Sequence, residues 1–370
     1  MEFIDNATTL EEAIIQRAKK SKVPVNGSLE LLPLCNMNCE MCYVRLSREE
    51  MLQKGCLRTW NEWLELARQM VSSGVLFLLL TGGEPLLYPE FQTLYLELWK
   101  MGLVLTINTN GTLIDEKWAE FFGKYKPRRI NITLYGASAG TYERLCHYPE
   151  GFHKVLQGIR LLRKRQIDVK VSCSITPMNY QDVEQIFQLG KELDVPVHID
   201  PYMMPSVRER SRPFSNHARV SPERAASVLL HTLKLQFSED IYQQYVNQSI
   251  ERVQNPGFCR GNGHVSCLSG NCSFTINWQG EMRPCVVMSE PSVPVFEIGF
   301  QNAWNGISNA VQDICINKEC TACNLNPICK ICAAAAKLET GRYDGIPEYL
   351  CRYSKEHYRL LLDAQKRWNS

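Results

Sequence analysis

The chain has 370 residues, of which 45% are apolar, and a formal net charge of +2 at pH 7. This apolar content suffices for a large buried core, and the nearly balanced charge gives no reason to expect nucleic acid or an anionic membrane as a partner. The N-terminal region has no continuous apolar stretch, and no segment approaches the ~18 apolar residues of a membrane span. We therefore expect a cytoplasmic protein.

Six apolar segments alternate with amphipathic stretches in the first part of the chain. They predict strands at residues 28–34, 75–82, 103–111, 129–136, 169–175 and 195–203. Six strand–helix repeats with nearly continuous apolar strands predict an α/β fold whose parallel sheet is covered by helices. A run of six favours a partial (β/α)6 barrel of the TIM type, in which chemistry lies at the C-terminal ends of the strands.

The rest of the chain divides by composition. We predict a helical lead at 1–25, the barrel at 26–205, a helical connection at 206–256, a small cysteine-rich, mostly irregular α+β module at 257–355, and a final helix at 356–370. The module has little periodicity, so it needs metal to hold its structure.

The chain has 16 cysteines. In a cytoplasmic protein they would be unusual as disulfides, because thiols stay reduced there. Metal or cluster ligation is their expected use. Three lie between residues 35 and 42, and ten lie between residues 259 and 351. This distribution predicts two metal-bearing regions.

The first cysteine group is Cys35, Cys39 and Cys42, with the spacing C-x3-C-x2-C directly after the first predicted strand. Three thiolates on one loop can hold three irons of a cubane cluster and leave the fourth iron open for chemistry. A structural zinc site is the alternative, but zinc usually closes with a fourth nearby Cys or His, and neither occurs between Cys42 and Cys56. The motif resembles the radical S-adenosylmethionine (SAM) superfamily, in which the open iron binds the amino and carboxylate groups of SAM.

A second motif, TGGEP at 81–85, follows the second predicted strand. On structural grounds alone, two glycines after a strand indicate only a tight turn. The motif matches the GGEP motif of the same family, and the resemblance implies that it receives the SAM ammonium group, which needs oxygen acceptors. The residues concerned are Gly82, Gly83, Glu84 and Pro85.

The resemblance implies further SAM contacts from the following strands and one helix: Asn108, Asn110, Thr133, Ser172 or Ser174, and Arg144. The sequence NTNGT at 108–112 could instead be an ordinary Asn-Gly turn, and Arg144 could be a solvated arginine. Met41 stands where the family usually has an aromatic residue that packs on adenine, and a polarizable methionine could cover the same ring.

The C-terminal cysteines resemble the SPASM module of radical SAM maturases, with one spacing, Cys329-x2-Cys332, a residue shorter than the family pattern. The resemblance implies two auxiliary 4Fe-4S clusters, hence three clusters in all. One would take Cys267, Cys272, Cys285 and Cys332, and the other Cys320, Cys323, Cys329 and Cys351. A pair of treble-clef zinc sites is the alternative. Cys259 could replace Cys272 as a ligand, or act as a free thiol that donates hydrogen to a substrate radical.

The implied mechanism is reductive cleavage of SAM to a 5′-deoxyadenosyl radical, which abstracts hydrogen from the substrate. Our leading hypothesis is a maturase that forms a thioether or carbon–carbon crosslink in a ribosomally made peptide. Its expected electron donor is a flavodoxin or ferredoxin. Only about 25 residues precede the first strand, too few for the winged-helix domain with which some such enzymes bind the leader peptide. Recognition would therefore use the barrel or a separate leader-binding protein. Such a substrate would need an open groove bordered by residues 200–210 and 257–275.

Three alternatives stay open. The chain could act on a small molecule in cofactor or sugar biosynthesis. It could be a sulfatase-type protein maturase, although Val286 stands where that group has an Asp after the cysteine equivalent to Cys285. It could also be a non-catalytic electron carrier, but a carrier would not need the GGEP motif.

Overall fold

A computed structural model describes residues 9–204, 210, 218–255 and 263–369. The strands are β1 Asn26–Glu30, β2 Phe77–Thr81, β3 Val104–Thr109, β4 Arg129–Thr133, β5 Val169–Ser174, β6 Val197–Asp200, β7 Ser273–Ile276, β8 Glu281–Arg283 and β9 Val293–Pro294. The helices are α1 Thr9–Ser21, α2 Arg48–Lys54, α3 Trp60–Ser72, α4 Phe91–Lys100, α5 Glu116–Lys124, α6 Ala139–Cys146, α7 Gly151–Lys164, α8 Val183–Glu192, α9 Pro222–Gln236, α10 Glu239–Gln254, α11 Val295–Ile298, α12 Phe300–Gln312, α13 Lys318–Ala322, α14 Ala333–Thr340 and α15 Glu348–Asn369. None of these described helices is both long and apolar enough to span a membrane.

The predicted parallel sheet is confirmed. The six strands of the barrel pair in chain order and in parallel, from β1 to β6. Because all six run the same way, their C-terminal ends meet at one edge, where the motif residues follow them. The sheet is a partial barrel, because β7 occupies the second side of β1.

Strands β4, β5 and β6 alternate between apolar and polar residues, which the sequence analysis missed. In β4, Ile130 and Ile132 are fully buried, whereas Asn131 and Thr133 are half-buried on the opposite face. The same alternation occurs along β5. The apolar face packs against the helices, and the polar face borders a cavity. The expectation of nearly continuous apolar strands holds for β2 and was wrong for β4, β5 and β6, because an incomplete barrel encloses a cavity instead of a packed core.

The cysteine-rich region joins the same sheet. Strand β7 pairs with β1 in parallel, and β8 and β9 continue the sheet in antiparallel pairs. Phe274 of β7 packs on Phe300 and Trp304 of α12. A Cβ on Gly27 of β1 would lie 2.4 Å from the Phe274 ring, so only glycine allows this approach. The module thus extends the barrel sheet.

The last helix packs on the helical connection. Tyr242 and Val246 of α10 and Leu361 of α15 form a buried cluster. Helix α15 begins at Glu348 and carries Cys351, so the predicted boundary at residue 355 falls inside one continuous helix.

His357 of α15 gives a prediction about pH. Its side chain is buried, and its Nε2 atom lies 3.2 Å from the Tyr245 hydroxyl. Burial, aided by the charge of Lys330, lowers the pKa of His357 from 6.5 to about 4. Between these values the unfolded chain binds a proton that the folded chain does not, so stability falls as pH decreases through 6.5.

From pH 7.5 to pH 6 we expect His357 to cost about 1 kcal/mol of stability. Unfolding midpoints at both pH values measure this, and His357→Phe should reduce the difference. His231→Gln, which removes an exposed histidine, is the control. An unchanged pH difference in His357→Phe would contradict the prediction.

Candidate active site

The turn after β2 fixes the start of the cysteine loop. The backbone N–H of Gly83 donates to the Leu32 carbonyl (2.7 Å), and that of Glu84 donates to the Leu34 carbonyl (2.8 Å). A Cβ on Gly83 would lie 2.2 Å from the Leu34 oxygen, and a Cβ on Gly82 would lie 2.5 Å from the Leu32 oxygen. The two glycines of the motif therefore allow two backbone segments to pack directly against each other.

Gly83→Ala should displace the cysteine loop, because the added methyl group meets backbone atoms that cannot rotate away. We expect a loss of about 2 kcal/mol or more in stability and a lower iron content, measured by thermal unfolding and iron analysis. Gly123→Ala in α5 is the matched control, because its Cβ would lie 3.6 Å from Arg165, an ordinary contact. Equal behaviour of the two variants would contradict this account of the motif.

The C-terminal end of α6 holds the middle of the loop. The backbone N–H of Asn38 donates to the Cys146 carbonyl (3.1 Å), and that of Glu40 donates to the Leu145 carbonyl (2.9 Å). These are carbonyls of the last helical turn, which have no partner within the helix. The loop therefore satisfies the end of the helix and is fixed by it.

Several donors surround the loop thiols. The Met37 N–H lies 3.4 Å from the Cys35 sulfur, and the Asn110 side-chain amide lies 3.6 Å from it. The Arg45 N–H lies 3.3 Å from the Cys42 sulfur. Donors aimed at sulfur favour the thiolate form that binds metal.

Two side chains that the sequence analysis missed also hold this loop. The Arg210 guanidinium donates to the Cys39 carbonyl (3.1 Å) and to the Asn38 side chain (2.8 Å). Asn36 accepts a hydrogen bond from the Asn110 amide (2.9 Å). Asn110 thus links the end of β3 to the loop.

The donor set fits an iron–sulfur cluster. Burial raises the pKa of Cys35 to about 12 and also raises the pKa of Cys42. The pKa of Cys39 is raised too, mainly by its contact with Cys146 and by burial. Without metal these thiols keep their protons, and a cationic cluster would replace those protons.

Glu84 supports the wall of the site. Its fully buried carboxylate accepts hydrogen bonds from the Thr109 hydroxyl (2.8 Å), the Asn110 N–H (2.8 Å) and the Leu86 N–H (3.1 Å). Burial raises its pKa to about 7, although these hydrogen bonds oppose the shift. Glu84 is not among the described residues that line the neighbouring cavity. The side chain holds the wall of the site, and its contact with the SAM ammonium stays a prediction. Pro85 is buried as well and begins a short helical turn.

A cavity of about 700 Å³ lies over the C-terminal ends of the strands. All three loop cysteines line it, and so do most of the predicted SAM contacts: Met41, Gly82, Gly83, Asn108, Asn110, Thr133, Ser172 and Ser174. The side chains of Asn108 and Asn131 are hydrogen-bonded to each other (2.8 Å). The inward polar faces of β3, β4 and β5 thus form one side of the cavity.

Arg144 lies elsewhere. It is exposed on α6, with its guanidinium 3.4 Å from the Thr141 hydroxyl. It is not among the described residues that line the cavity, and its pairing with the SAM carboxylate stays a prediction.

The opposite side of the cavity comes from later parts of the chain. It includes the segment 200–204 after β6, together with Val286, Val287 and Lys330 of the cysteine-rich module. For the predicted border of the substrate groove at 200–210, residues 200–204 line the cavity. The predicted border at 257–275 is not among the described lining residues, and Cys259 lies outside the described residues.

Four cysteines of the module lie close together. Burial is the main cause that raises the pKa of Cys320 to about 11. Charges on three neighbouring thiols add to the shift: Cys351, Cys329 and Cys323. This group is the second predicted ligand set.

The other predicted set spans two apolar clusters, and Cys267 is close enough to Cys272 for its charge to raise the pKa of that thiol as well. Cys285 and Cys332 belong to one apolar cluster, and Cys267 is close enough for its charge to raise the pKa of Cys332. Cys272 is fully buried in a different cluster, with Ala18 of α1. Cys272 directly precedes β7, which positions it under α1. Among the described residues, no three Cys, His, Asp or Glu side chains surround a single-ion site.

Comparison with known proteins agrees with this architecture. An AdoMet-dependent heme synthase of Methanosarcina barkeri is 24% identical over 85% of this chain and 92% of its own length. The subtilosin biosynthesis protein AlbA of Bacillus subtilis is 25% identical over 78% of this chain and 60% of its own length. The crystal structure of Streptococcus suis SuiB bound to precursor peptide SuiA has the same fold, with a TM-score of 0.66 and 15% identity over 95% of this chain and 83% of that one. Residues 29–190 match the model of the Radical SAM superfamily, so this part of the chain is similar to that family.

Proposed function

We propose that this enzyme modifies a peptide, using SAM and a 4Fe-4S cluster held by Cys35, Cys39 and Cys42. When bound, these cofactors supply a 5′-deoxyadenosyl radical that takes hydrogen from an unactivated C–H bond. The chain contributes a fixed loop, a polar wall and a cavity partly shielded from water.

The polar wall suits SAM. Asn108, Thr133 and Ser172 offer amide and hydroxyl groups that match the ribose and aminoacyl parts. Gly82 and Gly83 border the same space, and the ammonium group needs acceptors such as their carbonyl groups. Met41 offers an apolar, polarizable surface for adenine.

The observation that carries the peptide proposal is the second wall of the cavity. Residues 201–204, Val286 and Val287 face the cysteine loop from a separate part of the chain. This leaves a space between the barrel and the module, which suits a side chain that projects from an extended peptide. AlbA is named for bacteriocin biosynthesis, and the SuiB structure contains a precursor peptide. We therefore favour a thioether or carbon–carbon crosslink as the product.

Mass spectrometry tests this proposal. The enzyme, SAM and a reductant are incubated anaerobically with a short precursor peptide encoded next to its gene. We expect the peptide to lose two hydrogens for each crosslink. An unmodified peptide, together with failure to bind it saturably, would contradict the proposal.

The module cysteines support two auxiliary clusters in the proposal. The first set is Cys320, Cys323, Cys329 and Cys351. The second is Cys267, Cys285 and Cys332, completed by Cys272 or Cys259. These clusters could pass electrons from the product radical, while a flavodoxin or ferredoxin supplies the reducing electron. A separate leader-binding protein would deliver the peptide.

Iron analysis tests the cluster number. Three cubanes give about twelve irons per chain after anaerobic reconstitution. Cys323→Ala should lower the count to about eight, whereas Cys315→Ala, which removes an exposed thiol outside both sets, should leave it unchanged. A count near four with bound zinc would contradict the auxiliary clusters.

A small-molecule substrate is the second candidate, because the heme synthase relative matches 85% of this chain. In this case the cavity would take a tetrapyrrole instead of a peptide side chain. Anaerobic turnover of SAM with an iron porphyrin, but not with the peptide, would favour this candidate.

A further inference from the structure

The charged side chains that line the cavity do not balance. Among the described lining residues, those that carry charge at neutral pH are Lys170, Asp200 and Lys330. The Asp200 carboxylate lies 3.2 Å from Nε2 of His198, and Lys170 on β5 already interacts with another group. Lys330, on the module side of the cavity, has no hydrogen-bond or ion-pair partner within the part of the chain that the structure describes. Its ammonium group is therefore available to a ligand in the cavity.

The backbone on both sides of Lys330 is held. The Cys329 N–H donates to the Leu325 carbonyl (2.9 Å), which closes the turn before Lys330. The Cys332 carbonyl accepts from the Ala336 N–H (3.0 Å) at the start of α14. A short segment fixed at both ends therefore presents Lys330 to the cavity, and only the side chain has to become ordered when a ligand binds.

Apolar side chains line the cavity together with Lys330. Val286 and Val287 come from the same module, and Val287 packs in one apolar cluster with Cys332. Two methionines at 203–204 line the cavity from the segment after β6. A substrate that fills this space displaces water, so an unpaired ammonium group there loses solvation. A carboxylate on the substrate offsets this loss, because opposite charges attract more strongly where water is excluded.

We propose that Lys330 determines which peptides the enzyme accepts, by pairing with a carboxylate of the substrate. This carboxylate belongs to an Asp or Glu within two positions of the residue that loses hydrogen. In an extended peptide, residues two positions apart project to the same side and lie about 7 Å apart, so both side chains enter the same cavity. The inference rests on the proposed function, because it concerns the peptide at the same site.

The experiment measures binding of the precursor peptide encoded next to the gene. Reconstituted enzyme is kept anaerobic with SAM and without a reductant, so the peptide binds but is not consumed. Fluorescence anisotropy of the labelled peptide gives its Kd. Lys330→Met, which keeps the length of the side chain and removes its charge, should raise the Kd about fivefold or more. Lys330→Arg, which keeps the charge, should retain most of the affinity.

A series of peptides identifies the acid, and each Asp or Glu is replaced in turn by Asn or Gln. One replacement should raise the Kd of the wild-type enzyme about fivefold, and it should have no further effect with Lys330→Met. Lys330→Glu should recover affinity for a peptide that carries Lys at this position. Lys318→Met is the matched control and should bind like the wild type. Lys318 is an exposed lysine of the same module and is not among the described residues that line the cavity.

The outcomes separate the two proposals. A wild-type enzyme that neither binds nor modifies the peptide would overturn the proposed function. If the wild type modifies the peptide, an unchanged Kd in Lys330→Met would overturn only the present inference. Wild-type binding that no amide replacement weakens would do the same, and this result does not depend on how well an enzyme variant folds. If the wild type binds an iron porphyrin and not the peptide, the carboxylate belongs to a small molecule, and both proposals fail.

Discussion

Replacing Cys35, Cys39 or Cys42 by alanine will abolish the reductive cleavage of SAM. Each variant leaves the cluster one thiolate short. The backbone of the loop is held by the turn after β2 and by the end of α6. The iron bound by the module cysteines should remain. The measurement is the amount of 5′-deoxyadenosine formed anaerobically with SAM and dithionite.

Cys56→Ala is the control for these variants. Cys56 follows the same loop in the sequence, but its thiol is exposed and it belongs to neither cysteine group. Its activity should match that of the wild type. A loop variant that produced 5′-deoxyadenosine at a rate near wild type would contradict the assignment of the loop.

Glu84→Ala should destabilise the protein even without SAM. The substitution leaves three buried donors unpaired: the Thr109 hydroxyl and the N–H groups of Asn110 and Leu86. We expect a loss of about 3 kcal/mol or more, measured as a lower unfolding midpoint of SAM-free enzyme. Because Asn110 also contacts Cys35, cluster loading should fall as well.

Glu84→Gln is the conservative comparison. Its amide keeps one acceptor oxygen but turns an NH2 group toward a donor, so an intermediate loss is expected. If Glu84 instead contacted SAM directly, Glu84→Ala would weaken SAM binding and leave the SAM-free unfolding midpoint unchanged. That result would contradict the structural role.

The sequence predicted that the two motifs lie together, and the structure places both at one cavity. The spacing of Cys35, Cys39 and Cys42 and the glycine pair at 82–83 follow two neighbouring parallel strands, and strand ends of this kind meet at one edge. The parallel order of six strands follows from the repeat pattern. These are local signals, each readable within about ten residues.

Side-chain direction could not be predicted in the same way. Glu84 and Arg144 stand at family-like positions, yet one is buried in the wall and the other exposed on a helix. Cys272 fits a ligand spacing but packs under α1. Spacing along the chain does not determine which face a side chain takes when the backbone bends.

Long-range partners left no sequence signal. Arg210 reaches Cys39 across 171 residues. Strand β7 pairs with β1, which lies far from it in the sequence.

Transfer of deuterium from a labelled peptide tests the central claim most directly. The precursor peptide is made with deuterated amino acids and incubated anaerobically with the enzyme, SAM and dithionite. We predict that 5′-deoxyadenosine gains one deuterium from the peptide and that the peptide is modified in the same reaction. Unlabelled 5′-deoxyadenosine alongside an unmodified peptide would contradict the account.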